Sequence, residues 1–378
     1  MHGGPGAPQP QRAASAPTGA AALHRRAIAV IRALALLLVA ALALFGSRSA
    51  HADTNCVVTT PVTLAFGTIT NGSASVTNTT TTFTITCSTA ALSLLATASV
   101  RACLGIGNGS GGSATQPTRS LRNATTDTMA FQLYTNATRS TIWGLTPGSN
   151  PGAQVIDLNY NVPLLTGGSG TVTVTIYGQV PAGQTLSAGS FSSSFAAADT
   201  TVRFAYNEVL LGTASPPPAC TTPAGGGATG NKTVASGFPF TVTANVLPQC
   251  STYVTTDMDF GSNAGAITGN IDRTSTIGLT CINRTAYTIG LDNGQHVLGT
   301  TTRRMQHATN PSYFIAYELY RDSGRSQRWG NTIGVDTVPG TGTGGTQTLT
   351  VYGRAPPTSG SLPAQGSYND VITVNITY

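Results

Sequence analysis

The sequence predicts an all-β protein built from two related domains. Thr, Ser, Gly, Asn and Val are abundant, whereas only 8% of the residues are charged. This composition favours short strands separated by turns. Apolar and polar residues alternate throughout, which argues against a disordered chain, and a length of 378 residues fits two domains.

Residues 1–52 are predicted to be a secretory signal peptide. A pair of arginines precedes an apolar run at 33–45, and Ala50-His51-Ala52 has the small-x-small pattern of a cleavage site. An uncleaved membrane anchor is the alternative, because the apolar region is nearly long enough to span a bilayer. Both interpretations predict export of the chain, and we expect the mature protein to be secreted through the periplasm.

The basic charge of the chain belongs to this predicted signal peptide. The chain has 19 Lys and Arg against 13 Asp and Glu, and five of the arginines lie within residues 1–52. The remainder is therefore close to neutral, which gives no support for nucleic-acid binding. Only His296 and His307 lie outside the predicted signal peptide, so we expect neither enzymatic activity nor a bound cofactor or metal.

A repeated series of landmarks defines two domains, predicted at 53–206 and 248–378. Each begins with a pair of cysteines 31 residues apart, and Phe-Gly follows ten residues after the first cysteine. A Thr-rich strand ending in the second cysteine, an RSxxWG motif, a Tyr-Gly strand and an alternating final strand follow in the same order in both halves. This shared order indicates two copies of one domain, and the two tryptophans are predicted to belong to its scaffold.

The six cysteines predict disulfides, since the chain is expected to reach an oxidising compartment. Their equal spacing in both copies pairs Cys56 with Cys87 and Cys250 with Cys281. Elimination pairs Cys103 with Cys220. The second copy has no counterpart to either of these two residues, so free thiols at both are the alternative.

A strand predicted at 238–247 lies between the two domains, after a Pro/Gly-rich linker at 207–237. Its apolar side chains alternate with polar ones and share one face of the strand, namely Phe238, Phe240, Val242, Ala244 and Val246. By contrast, His307 with its neighbours Arg303 and Arg304 is predicted to form a solvated basic turn and not a site.

The landmarks resemble the spore coat protein U domain family, whose Gram-negative members look like subunits of archaic chaperone-usher pili. The resemblance rests on the opening cysteine, the Phe-Gly, YELY at 317–320, the RSxxWG tryptophan, the Tyr-Gly strand and the final VITVNITY. It covers nearly the whole chain after residue 52, twice, although the first copy has FQLY at 131–134. It implies two immunoglobulin-like, pilin-type β-sandwiches that each lack a last strand and are completed by a donated one.

The resemblance also implies three partners: a periplasmic pilus chaperone, an outer-membrane usher, and an adjacent pilin subunit that donates a strand to the second domain. The open edge is expected along the final strand, whose alternating residues would contact the chaperone or the next subunit: Ile372, Val374, Ile376 and Tyr378. Residues 238–247 are then expected to complete the first domain, because otherwise both domains lack a strand. Their alternative role is the first strand of the second domain.

Few residues would precede Cys56 after cleavage, so the chain is expected to accept a strand but to donate none to another subunit. This predicts a tip adhesin of a secreted pilus, at the cell surface, that mediates attachment and biofilm formation. A structural pilus-shaft or coat protein without a receptor is the alternative.

The first domain is longer than the second between matched landmarks, and the extra residues are rich in apolar side chains. They are candidates for adhesive loops, since exposed apolar patches usually mark interaction sites, but packing inside the core is the alternative. The candidates are Leu92, Leu94, Leu95, Val155, Ile156, Leu158, Leu164, Leu165, Val209, Leu210 and Leu211.

Overall fold

The computed structural model describes residues 6, 30–35, 54–58, 62–90, 96–112, 119–163, 166–209, 212–224, 228–358 and 362–378. The chain divides into two compact units, 1–53 and 54–378. In the first unit, residues 30–35 are helical, and nearly all of the predicted signal peptide lies outside the described residues. No helix in the described ranges is long and apolar enough to cross a membrane.

The first domain is a β-sandwich. Its larger sheet has the order β1-β3-β8-β6-β5-β9-β12-β2, its smaller sheet has the order β11-β10-β4-β7, and both contribute to one core. A 3-10 turn, Ala197–Asp199, separates β9 from β10. The strands are β1 (Thr54–Val58), β2 (Val62–Thr68), β3 (Thr77–Thr89), β4 (Ala96–Ile106), β5 (Arg119–Arg122), β6 (Thr128–Tyr134), β7 (Gln154–Val162), β8 (Gly168–Val180), β9 (Gly189–Phe195), β10 (Thr200–Val209), β11 (Ala228–Ala235) and β12 (Phe240–Val246).

The second domain repeats this architecture with fewer strands. Its sheets have the orders β13-β14-β19-β17-β16-β20 and β18-β15-β21, and a separate core lies between them. The strands are β13 (Cys250–Thr255), β14 (Ile271–Cys281), β15 (Ala286–Leu291), β16 (Arg303–His307), β17 (Phe314–Tyr320), β18 (Val338–Thr341), β19 (Thr346–Ala355), β20 (Tyr368–Asn369) and β21 (Val374–Thr377). The all-β, two-domain prediction is confirmed.

The Thr-rich landmark forms the longest ladder among the described strands. β3 pairs antiparallel with β8 from Thr77 opposite Val180 to Thr89 opposite Gly168. Phe83 and Ile85 point into the core, while the alternating residues Thr82, Thr84 and Thr86 lie on the outer face of the sheet. Thr suits such positions because its branched side chain fits a pleated, half-buried surface.

The matched tryptophans hold the two sheets of each domain together. The Trp143 indole nitrogen donates to the carbonyl oxygen of Leu104 at 2.7 Å, and that of Trp329 donates to the carbonyl oxygen of Ile289 at 2.9 Å. Both side chains are fully buried. Their equivalent contacts agree with the predicted scaffold role.

A buried arginine next to each tryptophan was not predicted. Arg119 donates to the carbonyl oxygens of Ile106 at 2.9 Å and Trp143 at 2.6 Å. Arg303 makes the same contacts with Leu291 at 3.0 Å and Trp329 at 2.8 Å. One signal in the sequence could have revealed the pair, since each arginine lies shortly before a FQLY or YELY strand.

The predicted solvated turn around His307 is therefore wrong. Arg303 is 0% exposed and His307 only 9% exposed, because both lie on the core side of β16, which pairs with β17 and β20. Backbone carbonyl groups satisfy the guanidinium, which allows a charged side chain to be buried there. Arg304 faces outward, and its guanidinium lies 3.9 Å from the centre of the Phe314 ring.

The two buried arginines differ in their side-chain partner. Arg303 forms an ion pair with Glu318, whereas Arg119 is hydrogen-bonded to the neutral amide of Gln132. Burial lowers the pKa of Arg119 to about 10, so this guanidinium stays charged at neutral pH without a hydrogen-bonded carboxylate. The first domain therefore solvates a buried cation with neutral groups.

Three disulfides are present, with the pairings that the sequence predicts. They join Cys56 to Cys87, Cys250 to Cys281 and Cys103 to Cys220. The first two link matched strands, because β1 lies beside β3 and β13 beside β14. The third bridge attaches the segment 212–224 to β4.

The assignment of residues 207–237 to a linker is wrong for part of this segment, because it contains the end of β10 and the whole of β11. β10 continues to Val209, and β11 pairs with it in antiparallel register from Thr201 opposite Ala235 to Glu208 opposite Ala228. The edge of the smaller sheet thus gains a partner for its backbone groups. The Pro and Gly content concealed this strand.

The domains contact each other through the turn after Cys281. The Arg284 guanidinium forms a forked pair with the Asp127 carboxylate, with one N–O distance of 3.1 Å. The backbone nitrogen of Ala188 donates to the carbonyl oxygen of Asn283 at 2.8 Å, and Ile282 packs against the core of the first domain. Arg284 holds the pKa of Asp127 well below its usual range, with help from Ser187.

Exchanging the partners of the two buried arginines tests their role. Gln132→Glu gives Arg119 a carboxylate, and we expect it to stabilise the first domain by about 1–2 kcal/mol, since hydrogen bonds to charged groups are stronger than neutral ones. The matched control Glu318→Gln should destabilise the second domain by about 1–3 kcal/mol. Denaturant unfolding followed by fluorescence reports on both, because each domain contains one Trp; equal stabilities for all three proteins would contradict the prediction.

Asp127→Asn should loosen the contact between the domains at pH 7, because an amide cannot form the forked pair with Arg284. In the unsubstituted protein the depressed pKa of Asp127 means that the stabilisation from this contact is fully present above the ordinary carboxyl pKa of about 3.9. It decreases below that pH and is lost as the pH falls through the depressed pKa of Asp127 in the folded protein. Distances between spin labels on the two domains measure the effect. The control Asp157→Asn breaks an ion pair with Arg101 inside the first domain and should leave those distances unchanged.

Candidate functional site

Strand β12 lies within the larger sheet of the first domain. It pairs antiparallel with β9, from Phe240 opposite Phe195 to Val246 opposite Gly189. On its other side it pairs parallel with β2, beginning with Phe240 opposite Val62. The strand is therefore hydrogen-bonded along both edges to the domain that precedes it in sequence.

The apolar side chains of β12 and its flank fill the core of the first domain. Phe238 stacks on Phe83 with ring centres 5.1 Å apart, and Phe240 stacks on Phe195 at 4.5 Å. The five residues singled out from the sequence are at most 5% exposed: Phe238, Phe240, Val242, Ala244 and Val246. Their alternation matches the two faces of the strand.

The corresponding end of the second domain is open in the described residues. Its larger sheet stops at β20, and the described ranges contain no strand in the positions of β12 and β2. Residues 256–262, which match β2 in the repeat, have no regular secondary structure. The second domain therefore shows what the fold looks like without the added strand.

The matched apolar residues show the consequence of this difference. Leu64 and Phe66 on β2 are 0% and 6% exposed, whereas their counterparts Met258 and Phe260 are only half-buried. The glycine of the Tyr-Gly landmark leaves the space that Leu64 and Phe66 occupy. A Cβ at Gly178 would come within 2.7 Å of the Leu64 side chain. In the second domain a Cβ at the matched Gly353 would collide with the Met258 side chain and would lie only 3.2 Å from the Phe260 ring.

A groove runs along this open side of the second domain. It consists of two adjoining cavities of about 570 and 360 Å³, which share Thr255, Ile277 and Val374. Its floor is apolar, and its two walls are formed by 253–260 and 368–378. Its lining includes Met258, Phe260, Leu291, Met305, Leu319, Val351, Ile372, Ile376 and Tyr378.

The residues predicted to contact a chaperone or another subunit lie along one wall of this groove. Ile372 and Val374 line the larger cavity, and Val374, Ile376 and Tyr378 line the smaller one. β21 pairs only with β15 among the described strands, and Tyr378 is 51% exposed. An apolar wall beside an unpaired strand edge is the kind of surface that accepts a further strand.

One end of the groove is polar. Asp370 lines it, and its carboxylate accepts hydrogen bonds from the Tyr317 hydroxyl at 2.7 Å and the Gln295 backbone nitrogen at 2.9 Å. His296 lies 3.0 Å from the same carboxylate. Burial, reinforced by Asp370, raises the pKa of Tyr317 well above its usual value. These contacts hold Asp370 in place near the start of the groove wall formed by residues 368–378.

The candidate adhesive residues divide into three groups. Leu158 is 3% exposed and packs in the core of the first domain, so its assignment to an adhesive loop is wrong. The physical reason is that residues 154–162 form β7, which extends the smaller sheet by pairing with β4. Ile156 packs partly against the core, Val155 is 53% exposed, and Val209 ends β10 half-buried. The remaining candidates lie outside the described residues: Leu92, Leu94, Leu95, Leu164, Leu165, Leu210 and Leu211.

Three solved structures of low sequence identity are similar to this chain. The CsuC–CsuE chaperone–tip adhesion subunit pre-assembly complex from archaic chaperone-usher Csu pili of Acinetobacter baumannii is 17% identical with a TM-score of 0.35, and the match covers 86% of this chain and 100% of that chain. The CupB6 tip adhesin of Pseudomonas aeruginosa is 10% identical with a TM-score of 0.30, covering 86% and 94%. CfaE, the adhesive subunit of CFA/I fimbria of enterotoxigenic Escherichia coli, is 10% identical with a TM-score of 0.30, covering 85% and 93%. Similarity at this level does not transfer a function.

The sequence comparisons are more specific. Protein U of Myxococcus xanthus is 38% identical over 76 residues, which are 20% of this chain and 40% of that protein. This chain therefore spans less than half of the curated relative that it matches. The profile of the Spore Coat Protein U domain matches residues 41–198 and 237–375. These two matches cover more than half of the chain, one for each copy of the repeat, and the second begins just before β12. The protein therefore belongs to the Spore Coat Protein U domain family.

Proposed function

We propose that this protein is the tip adhesin of a secreted chaperone-usher pilus and that its second domain binds a strand from an adjacent subunit. One observation carries the proposal. Two copies of one domain lie in the same chain, and β12 completes the first while the matched groove of the second is open in the described residues. The first domain therefore indicates the kind of occupant that suits the second.

The expected occupant is an extended strand with alternating large apolar side chains. Backbone pairing along two edges provides affinity, and the side chains fill the groove. Burial of Phe238, Phe240, Val242 and Val246 in the first domain is worth about 6–12 kcal/mol before ordering costs, at about 1.5–3 kcal/mol for each. A strand of similar pattern would gain a similar amount in the second domain.

The open groove also supports a role for a periplasmic chaperone. An unpaired strand beside apolar walls is prone to edge-to-edge aggregation, so a transient partner must cover it between export and assembly. A pilus chaperone that lends a strand, followed by an outer-membrane usher that replaces this strand with that of the adjacent pilin, meets the requirement. The protein is then delivered through the periplasm to the cell surface.

The use of β12 within the chain supports a tip position. Strand β12 directly precedes the second domain in sequence and is already paired with β9 and β2 of the first domain. It is therefore not available to another subunit. Attachment and biofilm formation would then depend on the first domain. The burial of Leu158, a candidate for adhesion, favours the alternative of a shaft or coat protein without a receptor.

Charged substitutions in the groove wall test strand binding. Val374→Asp and Ile376→Asp place a carboxylate in the groove, and we expect each to reduce co-purification of the periplasmic chaperone at least tenfold, because an unpaired buried charge is costly. Asn375→Asp and Thr377→Asp are matched controls, since these residues point away from the groove on the same strand. Equal chaperone recovery for all four variants would contradict strand binding in this groove.

Removal of residues 53–247 distinguishes an adhesin from a shaft subunit. A tip adhesin predicts fibres of normal length, seen by electron microscopy, on cells that no longer attach, because assembly needs only the second domain. A shaft or coat protein predicts short or absent fibres. The deletion variant must still co-purify with the chaperone, which confirms that its groove has formed.

A further inference from the structure

The first domain contacts the second through two short segments. One is the hairpin turn between β5 and β6 at 123–127, and the other is 186–188, directly before β9. The turn contributes Asp127, which pairs with Arg284 of the second domain. The backbone nitrogen of Ala188 donates to the carbonyl oxygen of the residue before Arg284. We call these two segments the platform of the first domain.

One side chain links the two segments of this platform. The Asn123 side-chain oxygen accepts hydrogen bonds from the backbone nitrogens of Thr125 at 3.1 Å and Asp127 at 2.9 Å. The amide nitrogen of the same side chain donates to the Ser187 hydroxyl at 3.2 Å. These hydrogen bonds hold the turn and the segment before β9 together, so the platform is a defined surface and not two independent loops.

The second domain contains a matching turn. The hairpin turn between β16 and β17 is closed by a hydrogen bond from the backbone nitrogen of His307 to the carbonyl oxygen of Tyr313 at 3.0 Å. Asn123 donates to Asp127 in the same way at 3.1 Å. Tyr313 directly precedes β17, as Asp127 directly precedes β6. His307 therefore corresponds to Asn123, and Tyr313 corresponds to Asp127.

His307 also links its turn to a second segment. Its Nδ1 accepts hydrogen bonds from two backbone nitrogens of the turn, both at 3.1 Å. Its Nε2 donates to the carbonyl oxygen of Gln365 at 3.0 Å, shortly before β20. We call residues 307–313 and 362–366 the platform of the second domain. It adjoins the open groove, because the ring of His307 contacts that of Tyr368 in the groove wall at 5.0 Å.

The first platform is covered, whereas the second is exposed. Leu186 and Leu362 each lie a few residues before a Gly-Ser-aromatic sequence, GSF at 189–191 and GSY at 366–368. Leu186 is 3% exposed, but Leu362 is 73% exposed and Tyr313 is 46% exposed. The second platform thus presents large apolar side chains to solvent at positions that correspond to a contact surface in the first domain.

The two platforms differ in charge. The first contains the carboxylate of Asp127, which pairs with an arginine, whereas 307–313 and 362–366 contain no Lys, Arg, Asp or Glu. An arginine placed on the second platform would be desolvated without a carboxylate partner, which is costly. An apolar side chain is the better fit, and Ile282 is an example, since it packs against the core of the first domain.

We propose that the platform of the second domain binds the turn after the second cysteine of an adjacent pilin domain, and that this turn is uncharged and apolar. The inference rests on the proposed function, because the docked pilin is the one whose strand enters the groove. The contact between the two domains of this chain provides the template, in which β12 fills the groove and the turn after Cys281 lies on the platform. Docking would fix the orientation of the adjacent pilin, which a strand alone does not do.

Leu362→Asp tests this contact, because the residue is largely exposed and the substitution should not disturb folding. We expect the amount of this protein recovered on fibres sheared from cells to fall about tenfold, which corresponds to the loss of one apolar contact. Co-purification of the periplasmic chaperone should be unchanged. Ile333→Asp is the matched control, since Ile333 is 65% exposed in the same domain but lies outside the platform. It should be recovered like the unsubstituted protein.

Tyr313→Asp is a second variant, which gives the second platform the carboxylate of the first and should cause the same loss. Equal recovery of Leu362→Asp, Tyr313→Asp and Ile333→Asp would overturn the docking contact. Loss of chaperone co-purification by both platform variants would also overturn it, because the platform would then belong to the chaperone site. Release of the unsubstituted protein from fibres by 1 M NaCl would contradict an uncharged contact.

The outcome is separable from that of the proposed function. Val374→Asp in the groove wall is expected to lose the chaperone, whereas the platform variants are expected to keep it. Normal fibre recovery of the platform variants together with loss of the chaperone by Val374→Asp would remove the docking contact and leave strand binding intact. Absence of the unsubstituted protein from fibres would contradict the proposed function itself.

Discussion

The structure depends on the pairing of β12 with β9 and β2. This strand supplies stacked aromatic rings to the core of the first domain, with Phe238 on Phe83 and Phe240 on Phe195. The second domain lacks such a strand among its described residues, and there the matched segment 256–262 is irregular. Residues 62–68 thus form the regular strand β2 because β12 pairs with them. A strand at the end of a sheet needs both hydrogen bonds and a covered apolar face.

The same interaction fixes the relation between the domains. Only Leu247, Pro248 and Gln249 separate β12 from β13, so the strand that completes the first domain leads directly into the second. The Arg284–Asp127 pair and the packing of Ile282 then add contacts on the neighbouring turn. A short connection reinforced by a forked ion pair leaves little freedom for a hinge. Such a unit suits the proposed tip adhesin, in which the first domain attaches to a surface and the second domain binds a strand of the fibre.

Comparison of the two copies separates scaffold from specialisation. The buried Trp and Arg make the same backbone contacts in both domains, so these residues maintain the fold. The differences lie elsewhere: the disulfide at Cys103, the strand β11, the closed groove and the replacement of Asp272, Glu318 and Arg354 by amides. These changes are concentrated in the first domain, which is the part of the chain that we propose makes contact with a surface.

The sequence alone determined the features that depend on local periodicity and on repetition. It predicted the β class, the two copies, the three disulfides and the strand near residues 238–247, because alternation and equal spacing are readable in one dimension. The tertiary structure decided which side chains are buried. Arg303 and Leu158 were assigned to the surface, and β11 to a linker, since their burial or pairing depends on carbonyl groups and strands that are distant in sequence. Hydrogen-bond partners of that kind exist only once the sheets have assembled.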